Sequence, residues 1–149
     1  MTELIATLKL ALGNTFVMYF KTHSYHWNVE GIEFSQYHDF FGDLYDDLYG
    51  AVDPFAENLR KLDVYAPISL MELYNYKTVV EDSVKPNDIR TMLVNLQTAN
   101  DQTLEVLTKL FDLATEAKEQ GLANFTADRM DQHRKHGWQI KASLKNFGA

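Results

Sequence analysis

The sequence predicts an all-α protein built from four long helices, with a short fifth helix inside the connection between the second and third. Three observations carry that expectation. Apolar residues recur every three or four positions over long stretches. No alternating strand pattern, low-complexity segment or internal repeat interrupts them. Gly31, Pro67, Pro86 and Gly121 stand between these stretches, where helices start and stop.

In the first helix, over residues 2–28, Leu8, Leu12, Phe16 and Tyr19 form a stripe that continues through His23 and His26, so both histidines are expected to face inward. Thr2 is the expected N-cap and Gly31 the stop. A second helix runs to about Leu62, with Phe34, His38, Phe41, Tyr45, Leu48, Val52, Phe55 and Leu59 on one stripe. Pro54 lies inside it and loses its bond to residue 50, so a kink is expected there and not a break. Ser69 and Glu72 have the form of a capping box for a short helix of about two turns. Pro86 and Asn87 precede a third long helix through Leu93, Leu104 and Leu113, ending before Gly121. A fourth is expected from Asn124 or Thr126 through His133 and Trp138 to the C-terminus. The second-to-third connection must then cross the length of the bundle, which is the ferritin-like arrangement.

The 149 residues suit one domain, 1–149, with 46% apolar residues and a mean hydropathy of −0.31. No apolar run approaches the ~20 residues of a membrane span, and the N-terminus lacks the pattern of a signal peptide, so a cytoplasmic location and no membrane partner are expected. With no cysteine, disulfides and thiolate ligands are excluded. A pI near 5.1 argues against general nucleic-acid binding, although residues 129–149 carry a local +4.

Residues 30–57 carry eight carboxylates and no Lys or Arg, a charge of −8 against −7 for the whole chain. So concentrated a negative charge favours a bound cation, and His26, His38, Asp53 and Glu57 offer nitrogen and oxygen donors suited to iron, manganese or zinc. The competing interpretation is a solvated acidic face with histidines that only pack. Geometry constrains the metal hypothesis: at 1.5 Å per residue, Asp53 lies roughly 22 Å and Glu57 roughly 28 Å along the helix from His38. His26 and His38 flank one interhelical turn, whereas Asp53 and Glu57 pair at the far end. A second copy packed antiparallel about a two-fold axis near residues 46 and 47 would complete two sites per dimer. The intrachain Glu-x-x-His site of many ferritins is absent, because no histidine has a Glu three residues before it.

These residues resemble the Dps family of miniature ferritins. His26-Trp27-Asn28, Gly31 and Phe34 are similar to its HWN-x-x-G-x-x-F segment, His38 follows at the family spacing, and Asp53-x-x-x-Glu57 matches its D-x-x-x-E. Thr126-Ala127-Asp128, Lys135-His136-Gly137-Trp138 and Lys141-Ala142 are similar to its last helix. The resemblance implies a hollow dodecamer built from two-fold dimers that oxidises Fe(II), preferably with hydrogen peroxide, and stores ferric mineral. It implies His26, His38, Asp53 and Glu57 as catalytic iron ligands, with Trp27 beside the iron.

Two departures matter. Four residues after His38 the family usually has a ligand Asp, and here stands Gly42, which implies two irons per site with the second weakly held, or a metal-sequestering cage with little turnover. A basic N-terminal tail is missing, so DNA is not an expected partner. His23 is expected to pack or to support the site, His133 and His136 to lie at the surface or an interface, Trp138 to fill core, and Asp43, Asp46 and Asp47 to form a solvated face.

Overall fold

The computed structural model describes residues 1–145 and 147. Its elements are α1 (Thr2–Asn28), α2 (Phe34–Lys61), α3 (Leu70–Asn75), α4 (Ile89–Glu116) and α5 (Gln120–Leu144), and no strand occurs among the described residues. α1 packs along both α2 and α4, α5 packs along α4, and α3 rests on α1. This is the expected four-helix bundle with its crossover.

The helix ends follow local chemistry. Ser69 caps α3, its Oγ accepting the Glu72 N–H at 3.1 Å. The Glu72 carboxylate accepts from the N–H of Ile68, one residue before the cap. Asp88 caps α4 through the Thr91 N–H at 2.7 Å. Met1, not Thr2, occupies the α1 cap position, without a side-chain bond. α2 runs unbroken through Pro54, whose carbonyl accepts from the Asn58 amide at 2.8 Å.

The fourth long helix starts earlier than expected. α4 closes with Lys118 at φ 61°, its N–H bonded to Thr115 O and the Glu119 N–H to Ala114 O, a Schellman closure made without glycine. The chain is thereby turned by residue 119, and Gly121 belongs to the first turn of α5.

α1 is the rail on which the crossover is laid. Asn14 Oδ1 accepts the N–H groups of Thr78 (2.7 Å) and Val79 (3.0 Å), while its amide donates to Thr78 Oγ1. Lys21 donates to Asp82 at 3.1 Å, and the Tyr25 hydroxyl donates to the other oxygen of that carboxylate. At Gly13 the crossover comes so close that a Cβ would stand 2.9 Å from the Lys77 nitrogen, so no larger residue fits without moving backbone.

Two apolar clusters fill the bundle. One gathers Met18, Phe41, Leu44, Leu48, Leu93, Leu96 and Ile140; the other gathers Leu8, Leu12, Phe55, Leu59, Leu107, Leu110 and Leu122. Between them lies a polar waist. Arg129 donates to both oxygens of Asp47 at 3.0 and 2.9 Å, and His136 Nε2 contacts the same carboxylate at 2.7 Å. Burial would push the Asp47 pKa up, but the bonds from His136 and Arg129 outweigh it and hold the carboxyl well below the usual carboxylate range.

His133 is fully buried and pairs with Asn100 in both directions, ring Nδ1 with the side-chain oxygen and the amide with the backbone carbonyl. These residues correct three expectations: His133 and His136 lie in the interior, Asp47 is ion-paired and not solvated, and Trp138 is 67% exposed instead of filling core.

Burial, followed by the neighbouring charges of Arg129 and His136, holds the His133 pKa well below the ordinary value, so the ring is uncharged in the fold. An unfolded histidine protonates near pH ~6.5, so this contribution is complete above about pH 6.5 and is lost as pH falls toward the folded pKa. Urea unfolding should therefore show stability declining between about pH 7 and about pH 5. The decline should be shallower in His133→Gln, which keeps a partner for Asn100 but cannot titrate.

Candidate metal centre

The turn between α1 and α2 sets the site. α1 ends when Val29 adopts extended geometry, its N–H bonded to Tyr25 O at 2.9 Å. Gly31, at φ 116°, reverses the chain in a region costly for any residue with a Cβ, and its carbonyl accepts the Phe34 N–H. His26 and His38 are thereby brought side by side with rings stacked, centroids 3.8 Å apart and planes 18° apart. Phe34 stacks on His38 at 4.9 Å, and Tyr45 stands edge-on to His26 at 5.2 Å.

Each ring is held by the other residue's backbone. His26 Nδ1 lies 2.7 Å from His38 O, and His38 Nδ1 lies 2.7 Å from His26 O. A carbonyl can only accept, so each Nδ1 must carry the hydrogen. In the unprotonated ring each Nε2 then keeps its lone pair, the tautomer a metal-binding histidine needs.

Gly42 takes part in this arrangement. A Cβ there would sit 3.2 Å from both Cε1 and Nδ1 of His26, so the ring lies over bare helix backbone. An Asp at position 42 would bring a carboxylate but would also press on that ring. Asp53 and Glu57 stand exposed one turn apart on the continuous helix α2, roughly 22 and 28 Å beyond His38 by helical rise. The single chain unites His26 with His38 and leaves the two carboxylates at the other end. Among the described residues of one chain, no group of three His, Asp or Glu side chains is close enough to hold a metal ion.

An aromatic cluster adjoins the histidines. His23 stacks on Tyr45 at 3.8 Å and lies 4.0 Å from Trp27, while the Tyr19 hydroxyl is 2.8 Å from His23 Nδ1. Tyr19 and His23 are half-buried on the flank of α1, because the buried stripe runs through Leu8, Thr15, Met18, Thr22 and Tyr25. His26 is likewise half-buried. The Tyr19–His23 pairing was not drawn from the sequence, although a Tyr-x-x-x-His spacing on a helix brings the two side chains within reach.

The ferritin-like domain family matches residues 5–148. The "DNA protection during starvation protein" of Brevibacillus brevis is 26% identical, covering 96% of each chain. Antigen TpF1 of Treponema pallidum is 29% identical over 93% of this chain and 78% of its own. A crystal structure from Vibrio cholerae, described as a Dps protein of a broad superfamily of ferritin-like diiron-carboxylate proteins, superposes with a TM-score of 0.90 at 26% identity, covering 96% and 89%. The chain belongs to the ferritin-like family, and within that family to the Dps proteins.

Gly42→Ala tests the role of the bare backbone beneath His26. Alanine favours a helix interior over glycine by about 1 kcal/mol, so the fold should not weaken. Affinity for Co(II), followed by titration of its visible absorption, should fall about tenfold as the ring is displaced from its carbonyl partner.

Proposed function

We propose that the protein is an iron-storing ferroxidase cage, in which Fe(II) is both substrate and cargo. The observation that carries this reading is the division of the donor set on one rigid helix. Two histidines with Nε2 lone pairs sit at one end, and two solvent-facing carboxylates sit at the other. An antiparallel copy about a two-fold axis brings His26 and His38 of one chain to Asp53 and Glu57 of the other, twice per dimer.

The surface between the half-sites supports that pairing. Along the α1 and α2 flank, Phe20, Trp27 and Tyr49 are 47%, 56% and 58% exposed, and Tyr45 and Val52 are half-buried. Such a run of aromatic surface suits an interface between copies. In this reading the dimer is part of a dodecamer with an iron-holding interior, in the cytoplasm, and the Dps relationship supports it. No described helix is long and apolar enough to cross a membrane.

The chemistry suits iron. Imidazole nitrogen with carboxylate oxygen holds Fe(II) and also accommodates Fe(III). Two Fe(II) and one hydrogen peroxide, with two protons, give two Fe(III) and two waters, so paired oxidation releases no radical. Gly42 favours a second reading on a specific ground: the carboxylate missing there leaves the second iron weakly held, and the cage then sequesters metal with slow turnover.

Mixing two inactive variants tests the shared site. Chains carrying His26→Ala with His38→Ala lack one half, and chains carrying Asp53→Ala with Glu57→Ala lack the other. Each should form ferric product slowly in stopped-flow absorbance after Fe(II) and peroxide are added. Co-refolded in equal amounts, half of the dimers are mixed and each has one intact site, so about a quarter of wild-type activity should return. No recovery would eliminate the intersubunit arrangement. A wild-type rate no faster than the variants' would leave the sequestering reading.

A further inference from the structure

Four buried side-chain atoms have no hydrogen-bonding partner among the described residues: Thr15 Oγ1, Arg129 Nε, His133 Nε2 and His136 Nδ1. All four lie in the polar waist between the two apolar clusters. Thr15 stands between Leu12 and Met18 on α1, and the other three stand between Ala123 and Ile140 on α5. Arg129, His133 and His136 are only 6%, 0% and 5% exposed. Buried polar atoms are nearly always paired, so unpaired atoms gathered in one layer point to a bound molecule.

The hydrogens on these atoms define which molecule. Arg129 Nε can only donate. The Asn100 amide donates to His133 O at 2.9 Å, which turns its side-chain oxygen toward His133 Nδ1 at 2.8 Å. That nitrogen therefore carries the hydrogen, and Nε2 keeps a lone pair. His136 Nε2 donates to Asp47 at 2.7 Å, which leaves Nδ1 a lone pair in the neutral ring. A cation finds no free carboxylate here, because Arg129 and His136 already occupy Asp47, and the guanidinium charge opposes it. An anion would meet lone pairs and the Asp47 charge. Water suits both kinds of group: it accepts from Arg129 and donates to the two imidazoles. Where His136 gains a second proton, the same water accepts from Nδ1 instead.

The three groups also lie close together. The two imidazole centres are 5.5 Å apart with planes at 80°, and Arg129 and His136 meet at the same oxygen of Asp47. A groove of about 330 Å³ between α2 and α5, lined by Asp47 and His136, gives water an entrance. We propose that one internal water, bound by Arg129 Nε, His133 Nε2 and His136 Nδ1, is a fixed component of the waist. Asp47, His136, the water and His133 then form a hydrogen-bonded path by which a proton reaches His133 without opening of the bundle.

Crystal structures of the assembled full-length protein, at a resolution that shows ordered water, test the site in the wild type and in a variant carrying His133→Leu with Asn100→Leu. The wild type should show one water peak about 2.7–3.2 Å from each of the three nitrogens. The double substitution removes the His133 acceptor together with its partner, so the peak should vanish while Arg129 and His136 remain on Asp47. Oxygen-17 relaxation dispersion in solution should count one fewer long-lived water per chain in the variant. Wild-type crystals grown with Co(II) should give no anomalous signal at the waist.

No wild-type peak, an anomalous signal there, a peak shaped as a polyatomic anion, or a peak unchanged in the double variant would overturn the proposal. The wild-type density decides even where the variant fails to fold.

Discussion

The candidate centre depends on a pair of reciprocal bonds in which each of two stacked imidazoles donates to the backbone carbonyl of the other residue. These bonds fix ring orientation and tautomer with backbone atoms alone, so no carboxylate is consumed in holding the histidines. They also require the last turn of α1 and the first turns of α2 to lie closely side by side. The Gly31 reversal and the absence of a side chain at Gly42 both permit that approach. Substitution of Gly31 therefore reaches the two histidines through the backbone, and a Cβ at Gly42 meets the His26 ring directly.

The bundle behind this pair is held in two different ways. Its apolar clusters supply non-directional stabilisation by removing surface from water. The polar waist is directional: a bidentate Arg129–Asp47 pair, His136 on the same carboxylate, and a two-way His133–Asn100 pairing. Removing one partner of a buried charge pair typically costs about 3 kcal/mol or more, because the other is left without compensation. The waist ties α2 to α5, a pair that otherwise meets over a short stretch, and α4 to α5. Bonds from Asn14 and Lys21 perform the corresponding task for the crossover.

Much of this was legible in the sequence. The bounds of α1, the α3 cap and the separation of the histidines from Asp53 and Glu57 follow from spacing and helical rise. The misreadings have physical causes. On α5 the buried positions Leu122, Thr126, Arg129, His133, His136 and Ile140 alternate steps of four and three, a regular inward seam. Polar side chains fill its middle, so a search for apolar residues passed over it and took Trp138 for core. The α5 start was placed too late because Lys118 adopts a left-handed conformation usually left to glycine, which turns the chain before Gly121. On α1 and α2 the aromatic flank was merged with the core stripe, because Phe16, Tyr19 and Tyr45 are apolar enough to count as interior. An exposed aromatic surface is written in the same residue types as a core.

The connection between α1 and α2 spans only residues 29–33, and its length acts as a phase setting. Each residue added or removed would rotate α2 by ~100° about its axis if the helix kept its start. His38 would then swing away from its counterpart while the apolar stripe of α2 lost register with its neighbours. Insertions there are thus excluded twice over, by packing and by chemistry, whereas the crossover carries its extra helix at no cost to the histidine pair. Natural length variation among relatives should accordingly fall in the crossover and spare this reversal.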